Sequence, residues 1–169
     1  PEPTECVGAG RTDTGVHASM MVAHFDTTQN LDVDAFAFRL NRIVPADIAI
    51  EKVERVEDKM HARFDAKRRT YRYFVYSKKN PYRRHYANRL PYVPDFDLMN
   101  EAAKLLLEVE DFTSFSKVNN DQKTNLCDVT HAKWVQIEDD YWRFEITANR
   151  FLRNMVRAVV GTLLEIGRA

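Results

Sequence analysis

The sequence predicts an α+β fold in which a largely antiparallel sheet is flanked by helices. Residues 125–138 and 141–148 are strand-like runs on either side of the acidic pair Asp139 and Asp140, the pattern of a β-hairpin. Residues 95–109 and 151–166 carry apolar side chains at helical spacing, so two amphipathic helices are available to cover a sheet. The full order, strand, helix, strand, strand, helix, strand, strand, helix, contains hairpins and therefore favours antiparallel pairing.

From the amino end, residues 19–26 (SMMVAHFD) alternate loosely and read as a strand. Residues 32–43 read as a short helix opened by Asp32 or Asp34 and ended by Pro45 and Asp47. Residues 48–56 and 67–76 alternate again, which predicts two more strands; in the second, Arg68, Thr70 and Arg72 share a face. Residues 80–94 hold three prolines and form a long basic loop, and loops of that kind often carry function. Asp95 is placed to cap the helix that presents Phe96, Met99, Ala103, Leu106 and Leu107. Trp134 and Trp142 face each other across the predicted hairpin and read as packing residues.

The 169 residues suffice for one sizeable domain or two small ones, and a 44% hydrophobic share supports a true core. Two cysteines, Cys6 and Cys127, are too few for a disulfide framework or a four-cysteine zinc site. His17, His24, His61, His85 and His131 show no ligand spacing to one another or to a cysteine, so no metal is expected. No apolar run reaches the roughly 18 residues of a membrane span, and the first residues lack a signal pattern. A soluble, cytoplasmic protein is the expectation. The first residue is not methionine and a glycine-rich turn follows almost at once, which predicts a segment of a longer polypeptide.

Net charge is zero, but its distribution is uneven. Between Arg63 and Arg89 stand ten Lys and Arg against one acid, Asp65. Phe64, Tyr71, Tyr73, Phe74, Tyr76, Tyr82 and Tyr86 are interleaved with them, the composition of a surface that holds phosphates and stacks bases; a solvated strand face with its loop has the same composition. Arg63, Arg68, Arg69 and Arg72 are the candidate RNA contacts of this stretch.

Residues 8–18 (GAGRTDTGVHA) pack a carboxylate, an arginine, two threonines and three glycines into one short turn, whose backbone can approach a ligand closely. As a dinucleotide fingerprint the turn fails, because Asp13 stands at the third glycine and repels pyrophosphate. Asp13-Thr14-Gly15 also spells the aspartic-protease triplet, a chemistry that requires a second copy. A purely structural Asx-turn is the plain alternative. Near the carboxyl end, Arg150, Arg153 and Arg157 are spaced to share one helical face beside an apolar stripe of Leu152, Val156, Val159, Leu163 and Ile166. A row of like charges is suited to an anion, either RNA phosphate or the Asp13 carboxylate, or else is solvated.

Five segments in order, GAGRTDTGVHA at residues 8–18, HARF at 61–64, RTYRY at 69–73, DFTSF at 111–115 and NRFLRNMVR at 149–157, resemble the tRNA pseudouridine synthase A (TruA) family across nearly the whole chain. The resemblance implies isomerisation of uridine to pseudouridine in the anticodon stem-loop of tRNA, by a homodimer using neither cofactor nor metal. Matched motif to motif, the family's catalytic aspartate falls on Asp13, the family's active-site tyrosine on Tyr71 and the family's basic partner on Arg157, while Arg11 corresponds to the arginine that helps hold the flipped nucleotide. Arg150 and Arg153 join the expected RNA surface. The implied fold is two related, ferredoxin-like halves whose sheets join, with the cleft between them. Here residues 1–60 are the remainder of the first half and residues 61–169 the second, since family members carry a further strand and helix before the catalytic turn and another segment after the last helix. A non-catalytic RNA-binding fragment is the alternative reading.

The residue types suit the reaction. Breaking the bond from C1′ to N1 develops oxocarbenium-like charge or requires loss of the 2′ proton, and an ionised carboxylate serves as nucleophile or base. The uracil then turns and rejoins through C5, which calls for an aromatic surface and a group to take the C5 proton; Tyr71 offers both. Unstacking the target uridine costs a few kcal/mol, which contacts from the basic stretch offset.

Overall fold

The computed structural model describes residues 3–117 and 124–168. The chain divides into two units, Pro1–Ala66 and Lys67–Ala169. No helix among the described residues is long and apolar enough to cross a membrane.

In the first unit β1 (Val7–Gly8) pairs antiparallel with β2 (Ala23–His24), Val7 opposite His24. The strand expected over residues 19–26 is thus two residues long, because its partner offers only two. Asp32 opens α1 (Val33–Asn41) by accepting the Ala35 N–H at 3.1 Å, and Asp34 sits favourably in the first turn. The strand expected over residues 48–56 does not form. Instead the Asn41 side chain accepts the Ile50 N–H at 2.8 Å and donates to the Ile50 carbonyl at 2.8 Å. An amide side chain thereby takes the place of a neighbouring strand. Among the described residues of this unit, Ala62 is the one buried hydrophobic side chain.

The second unit holds a four-stranded sheet. β3 (Arg69–Tyr76) pairs parallel with the short β4 (Asn88–Arg89) and antiparallel with β6 (Tyr141–Ala148), which pairs antiparallel with β5 (Val129–Glu138). The α+β class and the hairpin around Asp139 and Asp140 are as expected. Alternation sends Tyr71, Tyr73 and Val75 of β3, Phe144, Ile146 and Ala148 of β6, and Ala132 and Trp134 of β5 to the core.

Helices α2 (Phe96–Lys104) and α3 (Met155–Arg168) add Met99, Ala103, Met155, Val159 and Leu163 to that core, all buried. Asp95 caps α2 by accepting the Leu98 N–H at 2.9 Å. The expected run to residue 109 ends earlier, tightening into a 3₁₀ turn at Leu105–Leu107. Asn100 of α2 accepts the Trp134 N–H at 2.8 Å and donates to the Trp134 carbonyl at 3.2 Å, so it closes part of the free edge of β5. Phe96 stacks on Trp142 with centroids 3.8 Å apart and meets Trp134 edge-on at 5.5 Å. Both tryptophans are packing residues, but they do not face each other: Trp134 is opposite Phe144, and Trp142 is opposite Gln136.

The last helix also departs from expectation. It begins at Met155, and Asn154 before it has a left-handed φ of 69°. Arg150 and Arg153 therefore lie in the non-helical approach and share no helical face with Arg157. The segment is drawn out of helical form by Leu152, which enters the core, and by the Lys117 N–H, which donates to the Arg153 carbonyl at 3.1 Å.

Candidate active site

The glycine-rich turn of the first unit runs between β1 and β2. The Val16 N–H donates to the Asp13 carbonyl at 3.2 Å, closing a turn with Gly15 at φ 83°. A positive φ at that position favours glycine, and no atom lies within 4 Å of where a Cβ would stand, so the demand is conformational rather than spatial. The turn carries Arg11 and Asp13 with both side chains exposed.

The HARF segment is built as a support for this unit. The His61 N–H donates to Asp65 Oδ2 at 2.6 Å, and His61 Nδ1 accepts the N–H groups of Arg63 and Phe64, each at 3.2 Å. The Ala62 N–H donates to His24 Nδ1 at 3.1 Å, and the two imidazoles lie 4.6 Å apart. The segment is thus tied to β2, with small Ala62 at the buried point of contact. Arg63, exposed, stands over the Phe64 ring at 5.9 Å.

In the second unit, Tyr71 lies on the helix-covered face of β3, half-buried, with its ring edge-on to Phe151 at 5.0 Å. The Arg69 guanidinium donates to the Asn149 carbonyl at 3.1 Å, and Asn149 also bridges to Asp128 through its own N–H and its side-chain oxygen. RTYRY and NRFLRNMVR are therefore brought together. Arg157, in the first turn of α3, and Arg153 are exposed, while Arg150 is half-buried. Burial pushes the Cys127 thiol above its ordinary pKa against the opposing pull of Arg150.

The DFTSF segment proves to be a corner. Asp111 accepts from both the N–H and the hydroxyl of Thr113, at 2.9 and 2.6 Å, which holds its carboxyl below the usual range. Phe112 is fully buried.

The remaining RNA candidates fare differently. Arg68 donates to the Thr130 hydroxyl, whereas Arg72 is paired with Glu145 at 2.8 Å. That pairing, with Arg143 beside it, holds the Glu145 carboxyl below its ordinary value. Sequence reading did not single out Asn149 or Phe151, the residues that join the two segments around Tyr71. Their place within NRFLRNMVR is the signal that marks them.

A family model described as tRNA pseudouridine synthase matches residues 2–65 and 102–169. The chain is 58% identical over 167 residues to tRNA pseudouridine synthase A of Bacteroides fragilis, covering 98% of this chain and 66% of that protein. Against the enzyme of the same name from Bacteroides thetaiotaomicron the identity is 55%, covering 97% of this chain and 62% of that one. Against that from Bacillus subtilis it is 40%, covering 95% and 66%. The chain thus spans just under two thirds of the length of these curated relatives. Both the turn that carries Asp13 and the segment that carries Arg157 fall inside the matched residues, and the chain belongs to the tRNA pseudouridine synthase family.

Proposed function

We propose that this chain forms the catalytic part of an enzyme that isomerises uridine to pseudouridine in the anticodon stem-loop of tRNA, with Asp13 as the reacting carboxylate. The observation that carries the reading is the turn itself: an exposed carboxylate on backbone bent by a positive-φ glycine, in a chain of this family. Such a turn lets a flipped nucleotide approach the main chain closely.

In this reading Asp13 attacks the sugar or removes its proton, releasing uracil from C1′. Tyr71 provides the aromatic surface and the hydroxyl near the C5 proton. Arg157 is the basic group, and Arg11 holds the displaced nucleotide. Arg63, Arg68, Arg69, Arg150 and Arg153 contact RNA, and Arg72 joins them by exchanging the Glu145 carboxylate for a phosphate. Residues 1–60 and 61–169 belong to two related, ferredoxin-like halves, the working enzyme is a homodimer and its compartment is the cytoplasm.

The test is release of tritium to water from tRNA labelled at C5 of uridine. The chain is expected to release it, and Asp13→Asn to lower the rate by about 10²- to 10⁴-fold while tRNA binding persists. Binding without release from the folded chain would instead identify a non-catalytic RNA-binding fragment. Sedimentation equilibrium reads the dimer directly, and a monomer at micromolar concentration would remove that part of the proposal.

A further inference from the structure

The basic stretch is not uniform, and the acids at the hairpin tip divide it. From Ser77 to Pro94 there are five Lys and Arg and no acid. Two of the five are neutralised. Lys78 pairs with Asp139 at 2.5 Å, and its N–H donates to Asp140 at 2.8 Å. Arg83 pairs with Glu138 at 2.5 Å and Asp140 at 3.3 Å, and its side chain is only 16% exposed. Its guanidinium stands 4.1 Å over Tyr141, whose ring in turn stacks on Phe74 at 5.5 Å. Arg83 is thus consumed as a pin that fastens the loop to the hairpin.

What the pin holds out is the rest of the loop. Asn80 closes its first turn, its side chain accepting the Tyr82 N–H at 3.0 Å and its carbonyl the Arg83 N–H at 3.3 Å. The Arg83 carbonyl then accepts from Tyr86 and Ala87, each at 3.0 Å, before β4 returns the chain to the sheet. On this fixed frame Tyr82 is 90% exposed. Arg84 donates to His85 and Arg89 to the Ser77 carbonyl; neither of these contacts neutralises its charge.

We infer that the Tyr82 ring stacks on an unpaired base of the RNA and that Arg84 and Arg89 take the adjoining phosphates. An aromatic ring left in water on a loop already ordered by its neighbours loses little conformational freedom on binding, and flanking cations favour a polyanion with flat bases over an apolar partner. The inference rests on the RNA-binding reading above and adds to it a stacking residue and a positioning residue, Arg83.

The experiment measures binding of unmodified tRNA and of fluorescent oligouridylate across a salt series. Tyr82→Ala is expected to weaken both by about 5- to 150-fold, with Tyr82→Phe close to the parent. Arg84→Ala and Arg89→Ala are expected each to reduce the salt slope for oligouridylate by about 0.7. Arg83→Met should weaken binding at an unchanged slope, since it frees the loop without removing a phosphate contact. A parent chain that binds tRNA while Tyr82→Ala, shown folded by circular dichroism, matches it would overturn the stacking role alone. A parent that binds neither RNA overturns the RNA-binding reading and this inference together.

Discussion

At Gly15 and Gly167 the same residue type answers two different demands. Gly15 is required by backbone conformation, since its φ is 83° and its surroundings are open. Gly167 is required by space: a Cβ there would lie 2.5 Å from Met99 Sδ, 2.6 Å from Met99 Cγ and 3.1 Å from the Asp95 carbonyl oxygen. Its own carbonyl accepts the Asp95 N–H at 2.8 Å, which holds the end of α3 against the start of α2. Met99 is fully buried, so its side chain has no free volume into which to retreat. Gly167→Ala is therefore expected to cost about 1–3 kcal/mol by overpacking, read from urea unfolding, despite the better helix propensity of alanine. A variant as stable as the parent would show that α2 and α3 separate at this point without penalty.

At the scale of the element, the β3–β6 ladder sets ionisation as well as packing. Arg72 and Glu145 are directly opposite in register, and Thr70 and Thr147, the next pair on that face, share a hydroxyl bond at 2.8 Å. The Glu145 carboxyl is held below its ordinary value of 4.5, chiefly by its bond to Arg72. A carboxyl whose pKa is depressed on folding stabilises the fold above its unfolded pKa and loses that contribution as pH falls through the folded value. Arg72→Met should therefore be less stable than the parent at neutral pH, with the gap narrowing toward about pH 3. Denaturant midpoints at the two pH values measure this, and an equal gap at both would show that Arg72 acts through packing alone. The pair is half-exposed, so the effect is modest.

At the scale of the whole molecule, the two units differ in what stabilises them. Every buried hydrophobic side chain except Ala62 belongs to the second unit, among the described residues. Helix α1 buries no residue, while α3 buries five. Since local stability follows apolar burial, amides of α3, β3 and β6 are expected to exchange with deuterium far more slowly than those of α1. Equal protection of α1 and α3 would mean that the first unit is stabilised by something other than a core. Much of this was legible in the sequence: the α+β class, the hairpin, the Asp32 and Asp95 caps and the Asp13 turn, because caps, turns and alternation are local and their residues carry the cause with them. The same holds for family membership, carried by motifs in order. Tertiary structure alone decided the rest. An alternating run at residues 48–56 has no strand to pair with once Asn41 satisfies Ile50; the arginine row breaks where Leu152 is drawn into the core; and Arg83, one basic residue among ten, becomes a pin only because the hairpin delivers Glu138 and Asp140 to it. Spacing along the chain sets which groups can lie on one face, whereas the partner that uses up a charge or a backbone amide comes from residues remote in sequence.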